Sequence, residues 1–168
     1  MNKKNLIINW IKEKTNKNKV NFELIFKMSK NGSNSADFHN YCDNKGPTLT
    51  IVKTTKNMIF GGFTTLDWKD SGGYIFDKSN QTFIFSLNLD KKYDMIKKGG
   101  YGIYYLKESY GPVFGGVDFG LYKNMKNGVT HANIGCNFLS NNNLELTGGK
   151  GDNEKFDVEE FEVYKIFY

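Results

Sequence analysis

The most informative absence in this sequence is arginine. All 23 basic residues of the 168-residue chain are lysines, so the net charge of +5 is carried without a guanidinium group. Arginine is the side chain that reads guanine edges and clamps phosphates through paired hydrogen bonds. We therefore expect no nucleic-acid partner. Lysines scattered in this way are typical of a solvated surface.

Cysteine and long apolar runs are also scarce. The two cysteines, Cys42 and Cys136, are too few for a disulfide scaffold and are typical of a reducing compartment. No run reaches the length that spans a bilayer, and the apolar stretch near the N-terminus is too short for a signal peptide. We expect a cytoplasmic protein without membrane insertion, and a monomer because no interface signature stands out.

Glycine and aromatic residues are abundant instead. The chain has 18 Gly, 14 Phe and 10 Tyr against two Pro, which favours a β-rich core with tight turns. At this length we expect one domain that folds without cross-links. Short apolar segments such as TLTIVKT, NMIFGGFTT and TFIFSLNL follow one another with turn residues between them. This spacing predicts an antiparallel sandwich rather than strand–helix–strand units.

Two helices are predicted before these strands. Near the N-terminus, four apolar residues recur at helical spacing: Leu6, Ile7, Trp10 and Ile11. Residues 1–20 are therefore expected to form a helix and a polar connector that pack on the main domain, residues 21–168. A second helix is predicted over residues 33–41, with Ser33 or Ser35 as its cap.

Alternation along the strands predicts which side chains face the core. In the first strand, one face is expected to carry Phe22, Leu24 and Phe26. In the last strand, one face is expected to carry Phe161, Val163 and Phe167. A short strand is also predicted over LELTGG, residues 144–149.

Histidine and cysteine are the sharpest candidates for metal or nucleophilic chemistry. His39 precedes Cys42 by three residues, and His131 precedes Cys136 by five. The two pairs lie far apart, and neither contains the closely spaced cysteines of a zinc knuckle. A catalytic pair of Cys42 and His39 would lack a third group to orient the base. We therefore expect no metal, no cofactor, no catalytic residue and no enzymatic activity.

Several segments, in their order along the chain, resemble a known family. A WI helix is followed by FELIFKMSKNGSNSADFHNYCDNKGPTLTIVKT, MIFGGFTTLDW, FIFSLN, GPVFGGVDFGLY and the closing EEFEVYKI. Together they resemble the TLDc domain from about Trp10 to the C-terminus. The resemblance implies a mainly β fold, a sandwich of two antiparallel sheets with flanking helices.

The resemblance also implies a non-catalytic interaction role. Members of the family are associated with protection against oxidative stress, and several bind the vacuolar-type proton ATPase and alter its assembly or activity. The implied partner is a peripheral subunit of that ATPase, with recruitment from the cytoplasm to the surface of acidic organelles. The family has no established catalytic residues to transfer, and His39 and Cys42 fall where it often shows His and Cys without an established metal role.

The matched glycines, one proline and one aspartate are expected to be architectural: Gly46, Pro47, Gly61, Gly62, Gly115, Gly116 and Asp118. One departure from the family is visible. Where the family commonly has Ser-Arg-Asp-Gly, this chain has Ser29-Lys30-Asn31-Gly32. Asn-Gly keeps the turn chemistry, but a partner contact that relied on that arginine is in doubt because lysine is not equivalent.

Two loops are the candidate partner surface. One contributes Trp68, Lys69 and Asp70, and the other contributes Lys97 and Lys98. Loops on a rigid sheet scaffold are where binding residues concentrate, and tryptophan beside lysine suits an acidic partner.

Two other functions stay open. The first is a thiol-dependent oxidant scavenger acting through Cys42 or Cys136, which would require an exposed thiolate. The second is a carbohydrate-binding sandwich that uses exposed tyrosines or Trp68.

Overall fold

The fold is a sandwich of two antiparallel sheets. The computed structural model describes residues 2–69, 72–106, 109–116, 118–126, 130–148 and 155–168, with His131 as backbone alone. The helices are α1 (Lys3–Thr15), α2 (Met28–Asn31) and α3 (Ser35–Cys42), with a 3-10 turn at Glu145–Thr147. The strands are β1 (Asn21–Lys27), β2 (Thr48–Thr54), β3 (Ile59–Thr64), β4 (Gly73–Phe76), β5 (Phe83–Ser86), β6 (Lys91–Asp94), β7 (Tyr101–Tyr105), β8 (Tyr110–Phe114), β9 (Phe119–Tyr122), β10 (Thr130–Ala132) and β11 (Val158–Phe167).

The strands divide into a first sheet, in the order β1-β11-β2-β3-β5-β6, and a second sheet, in the order β10-β9-β8-β7-β4. Neighbouring strands pair antiparallel in both sheets. The predicted mainly β sandwich with flanking helices is confirmed. The sequence does not predict three of the strands. β4 is short, β6 is polar (KKYD), and β8 is interrupted by proline (YGPVF).

Flat aromatic side chains fill the space between the sheets. The ring of Phe60 meets Phe119 edge-on at 5.3 Å, and Phe114 stacks on Phe119 at 5.5 Å. Trp68 packs edge-on against Phe114 at 5.7 Å. All four side chains are fully buried. Ring pairs of this kind contribute about 0.5–1.5 kcal/mol beyond the burial of their area.

Two glycines of β3 let its backbone lie close to the second sheet and to the neighbouring strand β2. A Cβ atom on Gly62 would lie 2.6 Å from the Phe114 ring of the second sheet. A Cβ atom on Gly61 would collide with the backbone carbonyl oxygen of Thr50 on β2. Neither glycine has a positive φ, so the requirement here is space.

The turn before β2 is fixed by backbone contacts. Gly46 has φ +76, a conformation that glycine adopts at little cost. Its N–H donates to a side-chain oxygen of Asp67 at 2.7 Å. The carbonyl of Pro47 accepts the N–H of Ile166 at 2.9 Å, which ties the turn to the last strand.

α1 packs on the outer face of the first sheet. Its apolar side, predicted from the helical spacing, is buried. Trp10 lies 6.5 Å from Phe83 and 6.0 Å from Phe85 between ring centroids. In the part of the chain that the structure describes, no helix is long and apolar enough to cross a membrane.

α3 closes one end of the sandwich. Phe38 and Cys42 reach from it into the inner core. Its cap is Asn34, so the prediction of a serine cap is wrong. The reason is Asp37, three residues further on, whose carboxylate accepts the Asn34 N–H at 3.0 Å.

A β-bulge changes the faces predicted for β1. The register against β11 shifts between Leu24 and Phe26. Phe22 therefore packs towards α1, Phe26 enters the inner core and Leu24 is 47% exposed. The prediction of one shared buried face is wrong, because the bulge inserts a residue into the alternation.

The C-terminal region departs from prediction in two places. Phe161 and Val163 belong to the inner core, but Phe167 is 39% exposed, since it pairs with Asn21 at the end of the sheet. The strand predicted over residues 144–149 is wrong, because Glu145–Thr147 forms a 3-10 turn.

Replacing Gly61 with Ala is expected to lower the free energy of unfolding by about 2–3 kcal/mol. The new methyl group meets the Thr50 carbonyl, which cannot move without disturbing the β2–β3 pairing. Chemical denaturation followed by circular dichroism measures the loss. Gly73→Ala is the matched control, because no atom lies within 4 Å of a Cβ there. Equal losses in the two variants would contradict the tight β2–β3 contact at Gly61.

Candidate functional site

Trp68, predicted to face a partner, is fully buried. Its ring meets Phe38 edge-on at 5.4 Å, and its indole Nε1 donates to Thr48 Oγ1 at 2.9 Å. The prediction of an exposed Trp68 is wrong, because the one polar atom of the ring finds its partner inside the core. Lys69 is exposed, and Asp70 lies outside the described residues.

The second predicted loop lies at a surface cleft of about 320 Å³. Lys97 and Lys98 line this cleft and are exposed. The cleft also contains the side chains of Phe76, Tyr101 and Cys136. The structure therefore brings the two predicted lysines next to exposed aromatic rings and to the exposed cysteine.

Asp77 anchors the lysine turn. Its backbone N–H donates to the carbonyl of Gly100 at 2.9 Å, and its carbonyl accepts the N–H of Gly99 at 3.2 Å. Its buried carboxylate accepts the N–H groups of Ser79 and Thr82. Burial alone would raise the pKa of Asp77, but the hydrogen bond from the Ser79 hydroxyl and those from the N–H groups of Ser79 and Thr82 outweigh it, and the pKa is lowered overall. The ionised carboxylate therefore holds the turn at residues 79–82, and the backbone of the same residue holds the lysine turn.

Asp118 organises the neighbouring loop. It is fully buried, and its Oδ1 accepts the N–H groups of Gly135, Cys136 and Asn137, each at 3.0 Å. Gly115, with φ +67, leaves no room for a Cβ beside this carboxylate. These contacts fix the backbone that carries Cys136 to the cleft.

A chain of aromatic rings crosses the outer face of the second sheet. In spatial order, this aromatic stripe consists of Phe76, Tyr101, Tyr74, Tyr104, Tyr110 and Tyr122. Neighbouring ring centroids lie between 4.4 and 5.3 Å apart. The rings belong to neither of the two buried core clusters. Their packing against one another gives the stripe a defined shape.

The stripe is open to solvent at the β4 end. Phe76 is 54% exposed, Tyr74 48% and Tyr101 37%. Gly116, with φ +83, leaves no room for a Cβ beside the Tyr74 ring. Contiguous exposed apolar surface on a folded domain is typical of an interaction site.

Exposed lysines adjoin the stripe among the residues that the structure describes. Lys97 and Lys98 lie at the Phe76 end, and exposed Lys123 directly follows Tyr122 in the chain. Asp77 and Asp118, the carboxylates that anchor the adjoining loops, are buried and hydrogen-bonded. An apolar centre with cationic ends complements an acidic surface that carries apolar anchors.

The sequence prediction missed the stripe because its rings come from four strands. The alternation of Tyr74 and Phe76 in GYIF was the available signal, but this strand is only four residues long. Tyr101 and Tyr104 lie some 25 residues further on and reach the same face only through the β4–β7 pairing.

His39 takes part in a buried hydrogen-bond network rather than in an open site. Its Nδ1 lies 2.6 Å from Asp43 Oδ1, and its Nε2 lies 2.8 Å from the carbonyl oxygen of Tyr110. The other carboxylate oxygen of Asp43 accepts the Tyr105 hydroxyl at 2.8 Å. The network joins α3 to β7 and β8.

The two cysteines lie in different surroundings. Cys42 is fully buried, and this burial, together with the negative charge of Asp43, raises the pKa of its thiol. Cys136 is exposed at the cleft. Over the described residues, no cluster of three His, Cys, Asp or Glu side chains is placed to hold a metal. The side chain of His131 lies outside the described part.

One thiol is expected to react quickly and the other to be protected. Ellman's reagent added to the native protein should release about one equivalent, because the reactive thiolate of Cys42 is disfavoured by burial. Cys136→Ser should abolish this fast phase, and Cys42→Ser should leave it intact. Fast labelling that persists in Cys136→Ser would contradict the burial of Cys42.

Comparisons with known proteins identify a family for the whole domain and relatives for part of it. The sequence profile described as TLDc domain matches residues 2–167. MTOR-associated protein MEAK7 of Danio rerio is 30% identical over 66 residues, 39% of this chain and 14% of that protein. TBC1 domain family member 24 of Xenopus laevis is 32% identical over 68 residues, 38% of this chain and 12% of that protein. The chain thus matches a small part of the length of either relative.

Proposed function

Because the chain belongs to the TLDc family, we propose that it is a non-catalytic interaction domain that binds peripheral subunits of the vacuolar-type proton ATPase. In this role it regulates the assembly or activity of the ATPase and contributes to oxidative-stress resistance. It works as a monomer without a cofactor, in the cytoplasm and at the surface of acidic organelles. The observation that carries the proposal is the family match over residues 2–167.

The aromatic stripe is the proposed contact surface. Tyrosine is enriched in the energetic centres of protein interfaces, because its ring supplies apolar area and its hydroxyl stays hydrated. The rings already pack on one another, so little side-chain freedom remains to be lost on binding. The exposed end at Phe76, Tyr74 and Tyr101 offers the anchors.

The flanking lysines set the preferred partner chemistry. Lys97 and Lys98 at one end of the stripe favour an acidic patch on the ATPase subunit. Charges at the rim of an interface chiefly accelerate association and align the partners. Binding is therefore expected to weaken as salt screens these lysines.

The buried polar groups near the stripe support a non-catalytic role. The carboxylates of Asp77 and Asp118 are occupied by backbone N–H groups, and the ring nitrogens of His39 face Asp43 and a carbonyl. These groups serve the architecture of the loops. A general base, by contrast, needs access to a substrate proton.

A double variant of the stripe tests the proposal against the purified peripheral sector of the ATPase. Tyr74→Ser with Phe76→Ser should weaken binding at least about tenfold, because truncating an aromatic anchor at an interface costs more than about 1 kcal/mol. Both side chains are exposed, so the fold should persist. Biolayer interferometry measures the affinity.

Leu89→Ser with Tyr168→Ser is the matched control, since both residues are exposed apolar side chains outside the stripe. It should bind like the unchanged protein.

Lys97→Glu with Lys98→Glu should slow association with the ATPase sector and remove most of the salt dependence of the association rate. No binding by the unchanged protein would overturn the partner, and full binding by the stripe variant would overturn the contact surface.

A further inference from the structure

An apolar cleft lies between the start of α1 and the outer face of the first sheet. Its volume is about 430 Å³, within the range of about 300–1,000 Å³ that is usual for small-molecule sites. Three of its walls are buried side chains: Ile7, Leu49 and Leu87. Three more are partly buried: Phe22, Ile51 and Tyr164.

The cleft exists because one helix is too narrow to cover all six strands of the first sheet. A helix with its side chains is about 10 Å wide, the width of about two strand spacings of 4.8 Å. α1 seats Trp10 over Phe83 and Phe85 on β5. The strands towards the other edge, β11 and β1, lie beyond this contact in the sheet order. Phe22 and Tyr164 of these two strands form the far wall.

The mouth of the cleft is cationic. Lys3 and Lys4 of α1 lie there, and the first turn of this helix contains no acidic residue. Lys3 pairs with Asp90 at 2.6 Å. The Nζ of Lys4 lies 6.0 Å from the centre of the Phe22 ring, above the apolar wall. Carboxylates are normally favoured at this end of a helix, and Lys3 is neutralised by Asp90, so Lys4 is the lysine that adds to a field that attracts anions.

The hydroxyl of Tyr164, which also lines the cleft, is not free to bind a charged head group. Tyr164 donates its hydroxyl to Glu162 Oε2 at 2.5 Å, and Lys27 contacts the other oxygen of Glu162 at 2.7 Å. The hydroxyl is thus already engaged by a carboxylate that is itself paired with Lys27. An anionic ligand would therefore place its charge at Lys4 and its apolar part against the wall.

We propose that this cleft binds a single-chain amphiphile with an anionic head group, such as a fatty carboxylate. The tail lies against Ile7, Leu49 and Ile51, and the carboxylate meets Lys4. The volume of the cleft lies in the range of small-molecule sites, which favours this ligand over a protein segment. The site lies on the opposite sheet from the aromatic stripe and does not depend on the proposed ATPase contact.

A chain-length series tests the apolar part of the proposal. Isothermal titration of the full chain with hexanoate, octanoate, decanoate and dodecanoate, each below its micellar concentration, should give saturable binding. The affinity should rise about fourfold for each added methylene group until the cleft is filled, and then level off. Absence of saturable binding along the whole series would overturn the proposal.

Charge selectivity tests the head-group contact. Decanoate should bind more tightly than decyltrimethylammonium, and Lys4→Glu should reverse this order with about a tenfold loss for decanoate. The variant places an acidic residue in the first helical turn, so its melting temperature should not fall. Lys19→Glu, in the exposed connector after α1, changes the net charge equally and should leave both affinities unchanged.

Ile51→Trp tests the apolar part of the cleft independently of charge, because the larger ring occupies the space proposed for the tail. It should weaken decanoate binding while the far-ultraviolet circular dichroism stays unchanged. Equal affinity for the anionic and the cationic amphiphile, or unaltered decanoate binding in Lys4→Glu, would overturn the assignment of the site.

Discussion

The rest of the structure depends on the close packing of flat aromatic rings between the two sheets. Gly62 of β3 presents bare backbone to the ring of Phe114, which stacks in turn on Phe119. Protein interiors are packed at crystal density, so even one additional methyl group at such a contact must displace something. The spacing of the sheets is therefore set by glycine facing phenylalanine, and it fixes where both outer faces lie.

The two outer faces of the sandwich differ in what covers them. α1 lies on the first sheet but covers only part of it, and a cleft lies beside the helix. The second sheet carries the aromatic stripe, which is open to solvent at the β4 end. The solvent face of an antiparallel sheet is usually polar. Tyrosine satisfies that rule with its hydroxyl, which hydrogen-bonds to water, while its ring keeps apolar area at the surface.

Local sequence patterns predict the fold well, but they do not predict contacts between segments that are distant in the chain. The helical spacing of α1 and the sandwich of short strands follow from local periodicity. The opposite faces of Phe22 and Phe26 depend on a bulge, which a strict alternation cannot represent. The burial of Trp68 depends on a hydrogen bond to Thr48, 20 residues earlier in the chain. The stripe assembles only when four strands pair, so its tyrosines look unremarkable in sequence. The lysines at 97 and 98 were accessible to prediction because a Lys-Lys-Gly-Gly turn must be exposed.

We propose that the exposed end of the aromatic stripe on the second sheet is where a partner binds. Site-specific photo-cross-linking tests it most directly. A benzoylphenylalanine in place of Phe76 should cross-link to a peripheral ATPase subunit, and the same group in place of Leu89 should not. Both positions are about half exposed, so access to solvent does not favour either. Cross-linking from position 89 with none from position 76 would contradict the account.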